Sequence, residues 1–283
     1  MGATRRFVLA GCAASASVAA MGPALGGAAF RLGLTPVFLD NDAEIIEALR
    51  AALSDSMGAP VAFEQRRSYQ EVTGLLLEGA VDAAWLCGFP FLQHEAALSL
   101  LAAPVWRGAP LYRSYLIAAA DDPARSLDDL AGGAHAFSDP DSNSGWLVTA
   151  SDLARRGALP ERFFSRAIFT WGHRNVVRAV ASGLTRSGSV DGYVWEALTE
   201  AEPALTARTR VVTQSELMGF PPFAARADRA QTPDLAAFRR ALLGLADSGA
   251  GRAALALLKL DGMAPAARAL YDGIAARMRD VAW

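Results

Sequence analysis

The chain has 283 residues, 52% of them hydrophobic, with 27 Lys+Arg against 29 Asp+Glu and a formal net charge of −2. Such a length and composition can bury a large core, as one big domain or two modest lobes, and exclude a disordered chain. The near-neutral balance offers no basic face, so nucleic acid is excluded as a partner.

Residues 1–29 read as an export signal. They carry Arg5 and Arg6, no acidic residue, a weakly apolar Ala/Gly-rich run, and small residues from Gly27 to Ala29. Thr4-Arg5-Arg6-Phe7 with Leu9 resembles a twin-arginine signal. Pro23 and the excess of Ala and Gly over Leu and Ile argue against a membrane-spanning helix. Leu9-Ala10-Gly11-Cys12 has the form of a lipoprotein cleavage box, but only Phe7 and Val8 separate it from the arginines, too few for an apolar signal core. The mature chain is therefore expected to begin near Phe30 and to reside in the periplasm. Loss of Arg5 and Arg6 leaves 25 basic against 29 acidic residues, a net charge of −4. Of the two cysteines only Cys87 survives processing, so no intramolecular disulfide is available.

In the mature chain Leu34-Thr35-Pro36 ends a strand at a proline corner. RRSYQEVTGLLLEGAVDAAWLCGF (66–89) then runs from an extended segment through a polar residue into a helix of about ten residues. Gly79 closes that helix, Ser68 and Glu71 form a capping box at its start, and a second extended segment ends in a Gly-containing turn. The apolar stretch 115–120 is expected to cross between two halves of the molecule. AHAF (134–137) reads as a short buried strand, followed by SDPDSNSGW (138–146). An Asp-Pro pair cannot continue a helix backwards, and Ser and Asn cap a helix from outside it. Trp146, Leu147, Ala150, Leu153 and Ala154 then follow at spacings of three and four, so a helix begins at this turn. Val211-Val212 leads into MGFPPFAAR (218–226), and the rest of the chain is mostly helical.

An internal echo organises these elements. At an offset of 104 residues, residues 66–89 fall on TWGHRNVVRAVASGLTRSGSVDGY (170–193): Tyr69 meets His173, Val72 meets Val176, Gly79 meets Gly183, Cys87 meets Asp191 and Gly88 meets Gly192. The period is too long for a solenoid and suits two similar α/β lobes. Lobe one is expected over 30–120 plus 214–283, the helical tail returning to pack on it, and lobe two over 121–213. Two crossings between lobes make a hinge. Open parallel sheets bind ligands beyond the carboxyl ends of their strands, so the echo predicts which residues share a cleft. From lobe one come Thr35, Tyr69, Cys87, Gly88, Phe89 and Phe91. From lobe two come Ser142, Asn143, Ser144, His173, Asp191 and Tyr193. Helix starts at such positions present unpaired N–H groups that suit a small anion.

RRSYQEV, VDAAWLCGFPF, SDPDSNSGW, GHRNVVRAVASG and SVDGYVWEAL, in this order and spacing from about Phe30 to about Ala225, resemble the phosphonate- and phosphite-binding branch of the periplasmic solute-binding proteins of ABC importers. The resemblance implies a type II fold of two α/β lobes, each a mostly parallel sheet flanked by helices, joined by crossing strands and closing on a small oxyanion or phosphonate-like solute. It places the phosphoryl-binding turn on Ser142, Asn143 and Ser144, the lobe-one tyrosine on Tyr69, the histidine on His173 and the acidic residue on Asp191. It implies a monomer that delivers solute to an inner-membrane ABC permease, with no cofactor. Two departures stand out: Asn143 where a hydroxyl residue is usual, and Phe91 where a second tyrosine is common. Cys87 adds an alternative, since relatives with a cysteine in this region resemble arsenite sensors that work with a membrane histidine kinase.

Several residues keep two readings. A protonated His173 would favour a dianion, with affinity falling as pH rises through its pKa; otherwise it caps its own helix. Asp191 repels a bare anion unless it takes a proton from the ligand, and is otherwise a turn aspartate. Cys87 is either a buried apolar side chain or a ligand for a thiophilic solute. Ser144, His173 and Asp191 contain the residue types of a hydrolytic triad, but SNSG is not a nucleophile elbow. His94, His135 and His173 lack metal-ligand spacing.

Overall fold

A computed structural model of the chain describes residue 1 and residues 29–36 and 43–281. The expected export signal, Cys12 included, lies almost wholly outside the described residues. No helix among the described residues is long and apolar enough to cross a membrane.

The strands in chain order are β1 (Phe30–Leu34), β2 (Val61–Gln65), β3 (Ala83–Trp85), β4 (Leu98–Val105), β5 (Leu111–Tyr112), β6 (Ser114–Ala119), β7 (Ala134–Phe137), β8 (Arg166–Phe169), β9 (Ser187–Asp191), β10 (Thr209–Gln214), β11 (Met218–Gly219), β12 (Phe223–Arg226) and β13 (Gly262–Ala264). They form a six-stranded sheet in the order β13-β4-β12-β3-β1-β2 and a five-stranded sheet in the order β10-β6-β9-β7-β8. In the first, β2-β1-β3 is parallel; in the second, β8-β7-β9 is parallel. The remaining pairs are antiparallel, so each sheet is mixed, and the expectation of mostly parallel strands holds for three strands of each sheet. The same plan is built twice, and in each sheet the fourth position is filled by a strand, β12 or β6, that arrives directly from a crossing.

The echo is visible residue by residue. The helices Tyr69–Leu77 and His173–Ala181 start and stop 104 positions apart. Tyr69, Val72, Thr73 and Leu76 are buried in the first, and His173, Val176, Val177 and Val180 in the second, the i, i+3, i+4, i+7 stripe of an amphipathic helix laid on a sheet. Each large apolar side chain in that stripe contributes about 1.5–3 kcal/mol. Gly79 and Gly183 follow the two helices with φ of 72° and 76°, a left-handed turn that glycine adopts without a Cβ penalty.

Chain crossing occurs earlier than the sequence pattern indicates. Ser114–Ala119 does not bridge the halves; it is a strand of the five-stranded sheet, paired with β9 and β10. The crossings lie at β5 and β11, which pair with each other as a two-stranded ribbon, Met218 opposite Tyr112 and Gly219 opposite Leu111.

The helical tail returns to lobe one, and its last helix also reaches lobe two. The helices Pro233–Leu243 and Gly249–Leu257 pack on the Ala43–Met57 helix of lobe one, but the last helix, Asp272–Asp280, lies against both the Gly88–Gln93 helix of lobe one and the Val148–Ala154 helix of lobe two. Arg277 explains this. The residue is 3% exposed, and its guanidinium pairs with Glu216 beside the crossing and with Asp152 of lobe two and donates to Val148 O. Asp280 accepts from Ser151 Oγ at 2.6 Å and Arg155 Nε at 2.8 Å. Arg277→Ala removes a buried donor set whose two carboxylate partners stay partly hydrated. It should lower the unfolding free energy in urea by about 1–3 kcal/mol, with Arg277→Lys recovering part of the loss. An unchanged urea midpoint in the alanine variant would count against this tie.

Candidate functional site

The carboxyl ends of β2, β3, β7, β8 and β9 face the space between the lobes, and each is followed there by a turn that starts a helix. Lobe one supplies the starts at Tyr69 and Gly88; lobe two supplies those at Asn143, His173 and Gly192. The echo pair Cys87 and Asp191 are both N-cap residues, of the helices Gly88–Gln93 and Gly192–Ala201. They act differently. Asp191 Oδ1 accepts from Tyr193 N at 2.8 Å and Val194 N at 3.3 Å, whereas Cys87 makes no side-chain cap bond.

At the turn sought in SDPDSNSGW, Ser142 is the N-cap and its Oγ accepts from Gly145 N at 3.0 Å. The chain winds first as a π-helical turn, Asn143–Leu147, then as the α-helix Val148–Ala154. Gly145 is required by contact: a Cβ there would lie 1.8 Å from Ser138 Oγ. Ser114 Oγ on β6 donates to Ser144 O at 2.6 Å and ties the turn to the sheet.

Hydrogen bonds join the two lobes at this level. Tyr69 Oη lies 3.2 Å from His173 Nε2, so residues that correspond in the duplicated unit touch each other. Asp191 N donates to His173 Nδ1 at 3.1 Å. That bond fixes the tautomer: Nδ1 is the acceptor, Nε2 carries the proton and donates to Tyr69 Oη, and the tyrosine's own proton is left for another acceptor. Tyr69 N donates to Asp139 Oδ2 at 3.1 Å, and Asn143 N donates to Cys87 Sγ at 3.3 Å. The lobes thus exchange one helix-start amide each. Asn143 Nδ2 donates to Tyr112 Oη at 2.8 Å and faces Met218 Sδ at 3.5 Å, both on the crossing ribbon. Its Oδ1 is buried without a partner among the described residues.

Electrostatics follow from burial. His173 is 2% exposed, and burial lowers its pKa to about 3, so the imidazole is neutral. Of the two readings of His173, burial disfavours the protonated one that would favour a dianion. Burial pushes the Asp191 carboxyl up to about 7 against the opposing effect of the Val194 and Tyr193 amides, and raises Asp139. Burial also pushes the Cys87 thiol up to about 12, so it is protonated and acts as a weak acceptor for Asn143.

Of the sequence-predicted residues, Tyr69, His173 and Asp191 form one chain of hydrogen bonds and Cys87 and Asn143 a separate pair, with Ser142 and Ser144 in the Asn143 turn. Phe89 stacks on Trp146 across the lobes, centroids 6.1 Å apart. Thr35 donates to Trp85 O at 2.9 Å within its own sheet, and Gly88 backs onto Ile274 and Tyr271. Phe91 packs on Tyr271, and Tyr193 directs its hydroxyl to Leu258 O. The Ser144–His173–Asp191 triad is not assembled, since both His173 ring nitrogens are engaged, one by Tyr69 and one by a main-chain amide. Asp139, Tyr112 and Met218 escaped sequence reasoning. Only Asp139 carried a signal, a carboxylate three positions before a helix N-cap, which reads locally as a turn residue.

Two α/β lobes crossed by a paired ribbon, with polar helix starts meeting between them, are the architecture of the two-lobed, type II periplasmic binding proteins. The family model described as ABC transporter, phosphonate, periplasmic substrate-binding protein matches residues 32–271, and the chain belongs to that family. It is 30% identical over 186 residues to phosphate-import protein PhnD of Mycolicibacterium smegmatis, covering 61% of this chain and 58% of that protein, so it spans little more than half of that relative. In fold it is similar to a binding-protein component of a phosphonate ABC transporter from Pseudomonas aeruginosa, with TM-score 0.81 and 21% identity over 89% of this chain and 87% of that one. It is also similar to PhnD1 from Prochlorococcus marinus in complex with methylphosphonate, with TM-score 0.78 and 16% identity over 89% and 98% of the two chains.

The raised Asp191 carboxyl makes a pH prediction. A folded pKa of about 7 against an ordinary 3.8 means that its stability contribution is full below pH 3.8 and lost as pH rises to about 7. Asp191→Asn keeps an acceptor oxygen for the cap and cannot ionise. Thermal unfolding midpoints of the two proteins should diverge in favour of the variant between these pH values; parallel profiles would show that Asp191 ionises normally.

Proposed function

We propose that the protein captures a phosphonate or a related small oxyanion between its lobes and delivers it to an ABC permease, acting as a monomer exported by its first 29 residues. The observation that carries this reading is the Asp191–His173–Tyr69 chain of hydrogen bonds, which fixes a neutral hydroxyl donor at the seam of the lobes, with the Ser142–Ser144 turn opposite. Neutral donors at helix starts stabilise an oxyanion without a full counter-charge, which suits reversible binding. Asp191, poised near neutrality, favours a ligand that shares a proton with it, such as a singly protonated phosphonate. Asn143 Oδ1 supplies a second acceptor for such a proton.

Family membership supports transport over sensing. The sensor alternative leans on Cys87, whose thiol is protonated and already accepts an amide. Membership in a substrate-binding family likewise supports a role without catalysis.

Isothermal titration with methylphosphonate, phosphate, phosphite and sulfate tests the reading. Methylphosphonate or one of the phosphorus oxyanions should bind, and Tyr69→Phe should weaken that binding about 10- to 100-fold, the loss of one hydrogen bond to a charged group. Cys87→Ser should retain it. Absence of heat with every phosphorus ligand would refute the proposal.

A further inference from the structure

A cleft of about 1000 Å³ opens between the lobes, and none of the sequence-predicted residues lines it. Its walls are Leu34, Pro36 and the segment from Gln65 to Glu71 on lobe one, and Trp171 on lobe two. These positions are the chain neighbours of the inner cluster. Leu34 and Pro36 flank Thr35, Ser68 and Gln70 flank Tyr69, and Trp171 stands two residues before His173. The cleft is therefore lined by the segments that also carry Tyr69 and His173.

Among the described residues, one charge on its wall stands without a partner. Arg66 is paired with Glu64 and donates to Gln65 O, and the Glu71 carboxylate is engaged by Ser68 N and Arg67 N. The Arg67 guanidinium has no hydrogen-bond or ion-pair partner among the described residues, while Gln65 and Gln70 add neutral amides to the same wall. Trp171 is 48% exposed and holds φ of 58°, a left-handed conformation that costs a bulky residue on the order of 1 kcal/mol. The turn is pinned in that shape: Thr170 Oγ1 donates to Phe137 O and Gly172 O, and Asn175 Nδ2 donates to Thr170 O. A strained, pinned, half-exposed indole lining the same cleft as an arginine with no partner among the described residues has the form of a ligand contact.

We propose that this cleft is a second subsite that takes an acidic substituent on the phosphonate, Arg67 pairing with its carboxylate and Trp171 covering its carbon chain. The inference rests on the phosphonate reading of the inner cluster. It predicts a preference for ω-phosphonocarboxylates over simple alkylphosphonates.

Titrations of methylphosphonate, propylphosphonate, 3-phosphonopropionate and 4-phosphonobutyrate into the wild-type protein, Arg67→Ala and Trp171→Ala separate the two readings. At least one carboxylate ligand should bind about tenfold or more tighter than propylphosphonate, the effect of one charge-assisted hydrogen bond. Arg67→Ala should abolish that difference while leaving methylphosphonate within about twofold, and Trp171→Ala should weaken the longer ligands only. Equal affinity for carboxylate and alkyl ligands, or an equal loss for all ligands in Arg67→Ala, overturns the subsite and leaves the inner site standing. Failure of every phosphonate to bind overturns both.

Discussion

The bond between Tyr69 Oη and His173 Nε2 joins two residues that hold the same position in two copies of one folding unit. Each stands at the first turn of a helix whose apolar stripe lies on a parallel sheet, so the stripe fixes the direction in which its head group points. Because both helices run from the carboxyl end of a strand, the two head groups converge when the lobes meet. The neutrality of His173 completes the arrangement. A charged imidazole buried there would need a counter-ion, whereas a neutral one transmits direction from the Asp191 amide to the tyrosine hydroxyl.

The reciprocal amide bonds, Tyr69 N to Asp139 and Asn143 N to Cys87, alter the simple picture of two bare helix starts converging on an anion. In lobe one the Tyr69 amide is taken by Asp139, and the Glu71 amide by Ser68 Oγ. Donor capacity facing the seam is thereby shifted towards side chains and towards lobe two. A carboxylate from the opposite lobe at a helix start also stabilises the closed arrangement, since its attraction to the dipole end exists only when the lobes are together.

Much of the architecture was legible because it repeats. The 104-residue offset carries helix bounds, the buried stripe, the closing glycines and the Cys87–Asp191 cap positions. A local pattern seen twice is a constraint on fold that either copy alone would not supply. What escaped the sequence depends on contacts without local grammar. Asp139 reaches across 70 positions to Tyr69, and Tyr112 sits in a two-residue strand with no periodicity to reveal it. The charge state of His173 depends on burial, which residue type and spacing leave open. Strand Ser114–Ala119 is apolar enough for either half, and only its pairing with β9 and β10 assigns it.

The ribbon of β5 and β11 puts both covalent crossings side by side, and Arg277 fastens the last helix to lobe two at the same flank through Glu216 and Asp152. Bodies fastened along one edge swing like the covers of a book: points near the spine barely travel, while those at the far rim sweep widely. Asn143, bonded to Tyr112 and Met218, lies close to that spine.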